Sequence, residues 1–135
     1  MAVTRLNPPE LAPPEGFVHV SIGTGSRIVF IAGQVANDHN GNLVGEGDLT
    51  AQAEQALLNV NAALDAAEAS FDDVAKATIY VVDWHEDKLE QLIAGAGKVA
   101  ERLGNTLVAS STLVPVPRLF EPGYLIEFDV TAVTS

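Results

Sequence analysis

Three adjacent hydroxyls and two alternating carboxylates are the residues whose types and spacing could support chemistry in this chain. Ser110, Ser111 and Thr112 interrupt an otherwise mostly aliphatic run over residues 106–114. Hydroxyls in a buried strand must find partners or lose about 1–3 kcal/mol each. We therefore expect them either to bond neighbouring backbone or to line a cavity. Glu127 and Asp129 are two residues apart in the last apolar stretch, so both carboxylates should point to one face of a strand.

The composition excludes several other chemistries. The chain has no cysteine, which rules out a disulfide framework, a thiolate nucleophile and a sulfur-ligated metal. His39 and His85 stand beside acidic residues, but no third ligand occurs at a suitable spacing. No glycine-rich phosphate loop precedes a helix. The sequence therefore predicts neither a metal site nor an organic cofactor.

Charge and hydropathy restrict the partners. The 135 residues carry a net charge of −11, which argues against nucleic acid and against anionic membrane surfaces. Hydrophobic residues make up 47% of the chain and charged residues 19%, a balance that favours an oligomer with apolar surface hidden between subunits. Prolines between residues 8 and 14 replace the apolar core of a signal peptide, and no apolar run approaches the length of a membrane span. We expect a soluble, cytoplasmic protein.

Periodicity divides the chain into the elements that position these residues. Residues 1–16 are proline-rich and predict an extended N-terminal arm that lies over the surface and is fixed only near its end. Strands over 17–22 and 27–35 flank a Gly-Thr-Gly-Ser turn and predict a hairpin. The remaining apolar patterns predict helices over 48–67 and 86–103, and strands over 74–82, 106–114 and 125–134.

The order β-β-α-β-α-β-β predicts a single α+β domain over residues 1–135, built as one mixed sheet with both helices on one face. The run 106–114 is interpreted as a strand buried on both faces, with 125–134 as its partner. In that last strand Ile126 and Phe128 should face the helices, which leaves Glu127 and Asp129 on the uncovered side. Because the other strands carry apolar residues on both faces, we expect sister subunits to close this side.

Four segments, in the same order, resemble the Rid (YjgF) family of enamine/imine deaminases. Segment 28–34 (IVFIAGQ) resembles that family's V-F-x-S-G-Q strand, and segment 125–132 (LIEFDVTA) its terminal V-E-I-E-V-I-A strand. Segments 52–60 and 74–81 match between them, so the resemblance covers nearly the whole chain from Phe17 onward. It implies a chorismate-mutase-like fold, a homotrimer whose sheets form a central barrel, and ligand clefts between subunits.

The resemblance also assigns site residues. Gly33 matches the family's glycine, Ala32 stands where the deaminases usually have serine, and Phe17 falls near their N-terminal aromatic. Glu127 matches the glutamate that positions water, which makes it the candidate catalytic residue. These matches imply hydrolysis of a 2-aminoacrylate-like imine to a keto acid and ammonia.

One family residue is replaced. The deaminase motif A-R-S-T is ASST at residues 109–112, so Ser110 stands where the family's arginine binds the substrate carboxylate. A guanidinium offers a charged bidentate fork, whereas a hydroxyl offers one neutral donor. Arg118, before the last strand, is a candidate replacement, and a solvated loop arginine is the alternative. Glu127 and Ser110 also have a structural alternative, as hydrogen-bonded groups at a subunit interface.

Three functions remain open at this point. The leading hypothesis is a homotrimer that binds a small metabolite in intersubunit clefts and hydrolyses an imine, enamine or related C–N bond with water positioned by Glu127. The second is a non-catalytic ligand-binding or regulatory module. The third is ordinary 2-aminoacrylate deamination, which the serine at position 110 disfavours. The expected partners are a small molecule and sister subunits, with no nucleic acid and no membrane.

Overall fold

The computed structural model describes residues 2–135, which form six strands, two α-helices and one 3-10 turn. In chain order these elements are β1 (Val3–Leu6), β2 (Val20–Gly23), β3 (Arg27–Gln34), α1 (Leu49–Ala66), the 3-10 turn (Phe71–Asp73), β4 (Val74–Val82), α2 (Lys88–Leu103), β5 (Ser110–Val116) and β6 (Ile126–Thr134). Both predicted helices and the strand over 74–82 are confirmed, with α2 beginning slightly later than expected.

Four of the strands form a mixed sheet in the order β3-β6-β4-β5. β6 lies antiparallel between β3 and β4, and β5 pairs with β4 in parallel. Strands β1 and β2 form a separate antiparallel pair. The predicted α+β architecture is therefore confirmed, with a two-stranded sheet beside the mixed one.

Helix α1 begins where its sequence predicts. The Asp48 carboxylate accepts a hydrogen bond of 3.0 Å from the Ala51 N–H, which satisfies one of the free donors of the first turn. One stripe of the helix is buried and packs on β3 and β6: Leu49, Gln52, Ala53, Ala56, Leu57, Val60 and Leu64. This stripe fixes the centre of the sheet.

Helix α2 is anchored to α1. A Cβ built on Gly95 would lie 2.7 Å from both the Ala53 Cβ and the Thr50 carbonyl oxygen, so the two helices approach as closely as their backbones allow. Gly104 ends the helix in the left-handed region at φ 69°. Neither helix among residues 2–135 combines the length and hydropathy that crossing a membrane requires.

The last strand separates its side chains as predicted. Ile126, Phe128 and Val130 are buried beneath the helices in the main core, whereas Glu127 is half-buried and Asp129 is exposed on the other side. The expected uncovered face of the sheet is therefore present in the single chain.

The predicted hairpin between residues 17–22 and 27–35 is wrong. β2 pairs with β1, and β3 pairs with β6 instead. The two glycines of the intervening turn serve a different purpose: the turn crosses the end of β6, where a Cβ on Gly25 would collide with the Thr134 backbone and one on Gly23 with the Val133 side chain.

The N-terminal arm is fixed at its start, contrary to expectation. Val3 in β1 is buried, and the Arg5 guanidinium donates to the carbonyl oxygens of Asp72 and Val74 at 3.2 and 3.1 Å. The strand has only four residues and Pro8 and Pro9 follow it closely, so no strand pattern was visible in the sequence.

The strand over 106–114 differs from the prediction in position and surroundings. β5 begins at Ser110, because the chain uses residues 105–109 to return from the end of α2 to the sheet. It is a half-buried edge strand, not one buried on both faces, and β4 separates it from its expected partner β6. Its edge position also explains how Pro115 is accommodated in the strand.

Candidate functional site

The face of the mixed sheet that no helix covers brings together most of the chain's chemical groups. We call it the open face. Residues that are direct neighbours across the ladders share a face of the sheet. The pairing therefore places on it Ile28, Phe30, Lys76, Thr78, Tyr80, Ser110, Thr112, Glu127, Asp129 and Thr131.

Gly33 and Glu127, two of the predicted site residues, are in contact at one end of this face. A Cβ on Gly33 would collide with a carboxylate oxygen of Glu127 and would lie 2.7 Å from its Cδ. The absent side chain therefore lets the carboxylate lie directly over the β3 backbone, beside a register shift in the β3–β6 ladder. Both positions had been singled out from the sequence, and the structure places them together.

Two amides of α1 hold the backbone on either side of this pair. The fully buried Gln52 accepts a 2.8 Å hydrogen bond from the Leu125 N–H and donates to the carbonyl oxygens of Gly45 and Gly123. Asn59 donates to the Val35 carbonyl oxygen at 2.9 Å. Leu125 lies two residues before Glu127 and Val35 two residues after Gly33. Helix α1 therefore positions both strands that form the pair.

The environment of Glu127 raises the pKa of its carboxyl group above the ordinary value of 4.5. Partial burial is the main cause, because it disfavours the charged form, and the neighbouring Asp129 carboxylate adds repulsion. A carboxyl group with a raised pKa accepts and returns a proton more readily near neutral pH. The pKa of the Glu127 carboxyl group is therefore shifted in the direction that favours proton transfer.

Ser110 lies toward the other end of the open face. Its Oγ is 2.7 Å from the Ser21 Oγ, and it pairs in register with Lys76 on β4. The Lys76 Nζ donates to the Thr112 Oγ1 at 2.8 Å. This end of the face is therefore a group of hydroxyls around one ammonium, which we call the hydroxyl end.

The Glu127 backbone and the hydroxyl end lie at different levels of the open face. Glu127 pairs with Tyr80 and Ser110 with Lys76, so their levels are four residues apart along β4. At about 3.3 Å per residue this is about 13 Å. Within one chain, the backbone of Glu127 and the backbone of the hydroxyl end therefore lie well apart.

The other predicted ligand residues occupy different surroundings. Ala32 is exposed beside Gly33, and its carbonyl oxygen accepts from the Gln34 amide at 3.1 Å. Arg118 is exposed and donates to two carbonyl oxygens of its own loop, those of Leu119 and Phe120. Its guanidinium is therefore used locally in the single chain. Phe17 makes an edge-to-face contact with His19 at 5.2 Å.

Phe17 also lines a cleft of about 750 Å³ on the opposite, helix-covered side of the sheet, between α2 and strands β4 and β5. Its walls are mostly aliphatic, and Glu15 is the only charged residue among them. Such a cleft can bind an apolar molecule, and Glu15 is the one carboxylate among its lining residues. Across residues 2–135, no three His, Asp or Glu side chains are placed to hold a metal ion.

Sequence reasoning missed Lys76, Tyr80 and Ser21, whereas Thr112 is one of the three strand hydroxyls that the sequence singles out. For the two residues on β4 a signal was available: in the predicted strand 74–82 the apolar face contains Ala77 and Ile79, so Lys76 and Tyr80 must point the opposite way. No local pattern links Ser21 to Ser110, because their contact joins segments 89 positions apart.

Comparisons with known proteins match this fold over almost its full length. The family model described as Endoribonuclease L-PSP matches residues 9–134. A crystal structure of YyfB from Yersinia pestis, a protein of unknown function of the Rid family, superposes with a TM-score of 0.87 at 36% identity and covers 98% of this chain and 99% of that one. E. coli TdcF with bound serine superposes with a TM-score of 0.69 at 25% identity, covering 96% and 94%.

A curated relative matches over a shorter region. A RutC family protein of Pyrococcus horikoshii is 38% identical over 60 residues, which is 44% of this chain. The match spans 48% of that relative, about half of its length.

Proposed function

The chain belongs to the Endoribonuclease L-PSP (Rid/YjgF) family, and from that premise we propose that it binds a small imine-bearing metabolite between subunits and hydrolyses its C=N bond. The observation that carries this proposal is the contact between Gly33 and Glu127, which places a carboxylate of raised pKa over an exposed strand backbone. TdcF, a structural neighbour that binds serine, supports an amino-acid-like ligand.

In the proposed reaction Glu127 accepts a proton from water as the water oxygen bonds to the imine carbon. The carboxyl group then returns this proton to the nitrogen, which gives a carbinolamine. As its C–N bond breaks, the hydroxyl proton passes through Glu127 to the nitrogen, so that imine plus water become a carbonyl compound plus ammonia. Backbone groups near Gly33 orient the substrate. General-base assistance of this kind contributes about 10²–10⁴-fold to rate.

Ammonia release from freshly generated imines of several amino acids tests this function. We expect the parent protein to be active and Glu127→Gln to lose at least about 10²-fold. Asp129→Asn is the matched variant, because it removes a carboxylate of the same strand and face. It should keep activity and move the acid limb of the pH profile downward, since one cause of the raised Glu127 pKa is gone. An inert parent protein, or a fully active Glu127→Gln, would contradict the proposal.

We further propose a homotrimer in which two other copies of the chain cover the open face. Ile28 and Phe30 are 61% and 78% exposed on this face, a costly arrangement for large apolar side chains in a lone chain. A neighbouring copy would bury them and bring its own hydroxyl end toward Glu127. The backbone separation of the two parts within one chain supports a site that is shared between copies.

Non-catalytic binding is a second candidate, favoured by the cleft between α2 and the sheet. Its volume of about 750 Å³ suits a ligand of ordinary small-molecule size, and its aliphatic lining suits an apolar one. A fluorescent apolar probe tests it: the parent should bind, and Ala96→Leu, which narrows the cleft, should bind less. Lys98→Leu, on the exposed side of α2, is the control. Equal binding by all three would remove this candidate.

The ribonuclease activity named in the family description is one that we do not propose for this chain. The net charge of −11 opposes a polyanion, and Lys76 is the one basic residue on the open face within residues 2–135. Incubation with labelled single-stranded RNA should leave it intact. Cleavage that Glu127→Gln abolishes would contradict this expectation.

A further inference from the structure

Lys76 lies on the open face beside Ser110, which replaces the charged arginine of the family motif. It is the direct register partner of Ser110 on β5, and the resemblance places the family's carboxylate-binding arginine at residue 110. Register partners on neighbouring strands have Cβ atoms about 5 Å apart. A lysine at 76 can therefore present its charge close to where a side chain at 110 would present one.

The surroundings of Lys76 orient its ammonium group. Its Nζ donates to the Thr112 Oγ1 at 2.8 Å, which draws the side chain along β5 toward the centre of the face. Thr131 is its register partner on the other side, on β6. One of the three ammonium donors is thereby used, and two remain for a ligand.

The charge of Lys76 has no partner within residues 2–135. It forms no ion pair with any carboxylate among residues 2–135, although the protein carries 18 acidic side chains. Arg27, the other basic residue on the strands of the mixed sheet, faces the helices, where it donates to the Ala67 carbonyl oxygen at 2.7 Å. The open face therefore carries one unneutralised cation, surrounded by hydroxyl groups.

We propose that Lys76 is the residue that binds the carboxylate of the ligand, in place of the arginine that Ser110 replaces. This inference rests on the proposed function for the identity of the ligand, a short 2-imino or 2-oxo acid. The Lys76 ammonium holds the carboxylate, and the Ser110 and Thr112 hydroxyls add neutral hydrogen bonds. A single ammonium on a face that also bears Glu127 and Asp129 suits a monoanion better than a phosphate dianion.

The replacement has a consequence for selectivity. A guanidinium fixes a carboxylate in one plane through two parallel hydrogen bonds, whereas an ammonium acts as a point charge that tolerates several orientations. The Lys76 site should therefore bind carboxylates more weakly than an arginine site and accept a wider range of substituents.

Calorimetric binding of 2-oxobutanoate at low ionic strength tests the inference without requiring turnover. The parent should bind, and Lys76→Met should bind at least about tenfold more weakly, since it loses a charge-assisted hydrogen bond. Lys76→Arg should stay within a few-fold of the parent. Lys98→Met, which removes an exposed lysine of α2, should bind 2-oxobutanoate as tightly as the parent does. The double variant Lys76→Met/Ser110→Arg should recover binding, because the cation returns on the neighbouring strand.

The outcomes separate this inference from the proposed function. If the parent binds 2-oxobutanoate through Lys76 but releases no ammonia from imines, the proposed hydrolase function is contradicted and the role of Lys76 in binding is supported. Binding by Lys76→Met equal to that of the parent overturns the inference, whatever the activity. A parent that binds no 2-oxobutanoate at millimolar concentration overturns it too. Inorganic phosphate bound more tightly than 2-oxobutanoate would overturn the assignment to a carboxylate.

Discussion

The two faces of the mixed sheet divide stability from chemistry. On the covered face, Ile126, Phe128 and Val130 pack under α1 in a core without charged groups. On the open face, their immediate neighbours in the chain, Glu127 and Asp129, are partly or fully exposed beside large apolar side chains. Successive side chains of a β-strand point to opposite faces of the sheet, so one short strand can supply both a buried apolar face and an exposed polar face. The comparison shows that the covered face holds the core of the chain, while the open face leaves large apolar side chains and carboxylates exposed.

The largest effect should come from the covered face. Ile126→Ala removes a fully buried side chain and should lower the free energy of unfolding by about 2–5 kcal/mol. Asp129→Ala, three residues later on the exposed side, should change it by less than about 0.5 kcal/mol. Urea denaturation measures both. Similar losses for the two variants would break the distinction between the faces.

Association should depend on the open face. Phe30→Asp places a charge on the most exposed large apolar side chain and should raise the dissociation constant of the oligomer by about 100-fold, or about 2.7 kcal/mol. Asp65→Asn, on the exposed side of α1, should leave it unchanged. Sedimentation velocity at micromolar concentration reports the difference. A parent protein that is already a stable monomer would contradict the role given to this face.

Packing between the helices can be tested with two glycines of α2. Gly95→Ala should cost about 1–3 kcal/mol, because its new Cβ would meet the Ala53 side chain and the Thr50 carbonyl oxygen. Gly97→Ala has no atom within 4 Å of the new Cβ and should add about 0.5–1 kcal/mol of stability. Thermal unfolding of the two variants should therefore shift in opposite directions. Two upward shifts would mean that the helices do not approach as closely as described.

The smallest effect is the influence of Glu127 on how the stability of the protein changes with pH. Folding raises the pKa of Glu127 above 4.5, so the folded protein holds the carboxyl proton more tightly than the unfolded chain does. The Glu127 contribution to the free energy of unfolding therefore falls as the pH rises and the carboxyl group ionises. Glu127→Gln should therefore unfold at a slightly higher temperature than the parent at pH 7. The difference should vanish below about pH 4, where the parent is protonated too. A variant less stable than the parent at neutral pH would show that the ionised carboxylate is a stabilising partner.

Much of the fold could be predicted from local patterns, and the failures have physical causes. The two helices, β4 and the inward and outward residues of β6 followed from periodicity, because burial of one stripe or face decides them. The pairing of β2 with β1 could not be predicted, since it depends on a four-residue strand just before a proline-rich segment. The edge position of β5 depends on the order of strands, which no single segment encodes.

The candidate site divides in the same way. Gly33 and Glu127 were identifiable through the family resemblance, and the structure places them in contact. Lys76 was not identified, because its importance comes from its register with Ser110 across a parallel ladder. From the sequence, the candidate to replace the missing arginine is Arg118, which is close to Ser110 along the chain. On the open face the cation beside Ser110 is Lys76, which lies on the neighbouring strand β4.

Mixing two impaired variants tests the central claim most directly, that one site is built from the Glu127 of one subunit and the Lys76 of another. Below saturating substrate, Glu127→Gln is impaired in proton transfer and Lys76→Met in binding. Glu127→Gln and Lys76→Met are unfolded together in equal amounts and refolded, and ammonia release is measured. In randomly mixed trimers one site in four would combine an intact Glu127 with an intact Lys76, so about a quarter of the parent activity should return. If both residues of a site came from the same chain, no site would be restored. A mixture no more active than the separate variants would contradict the account.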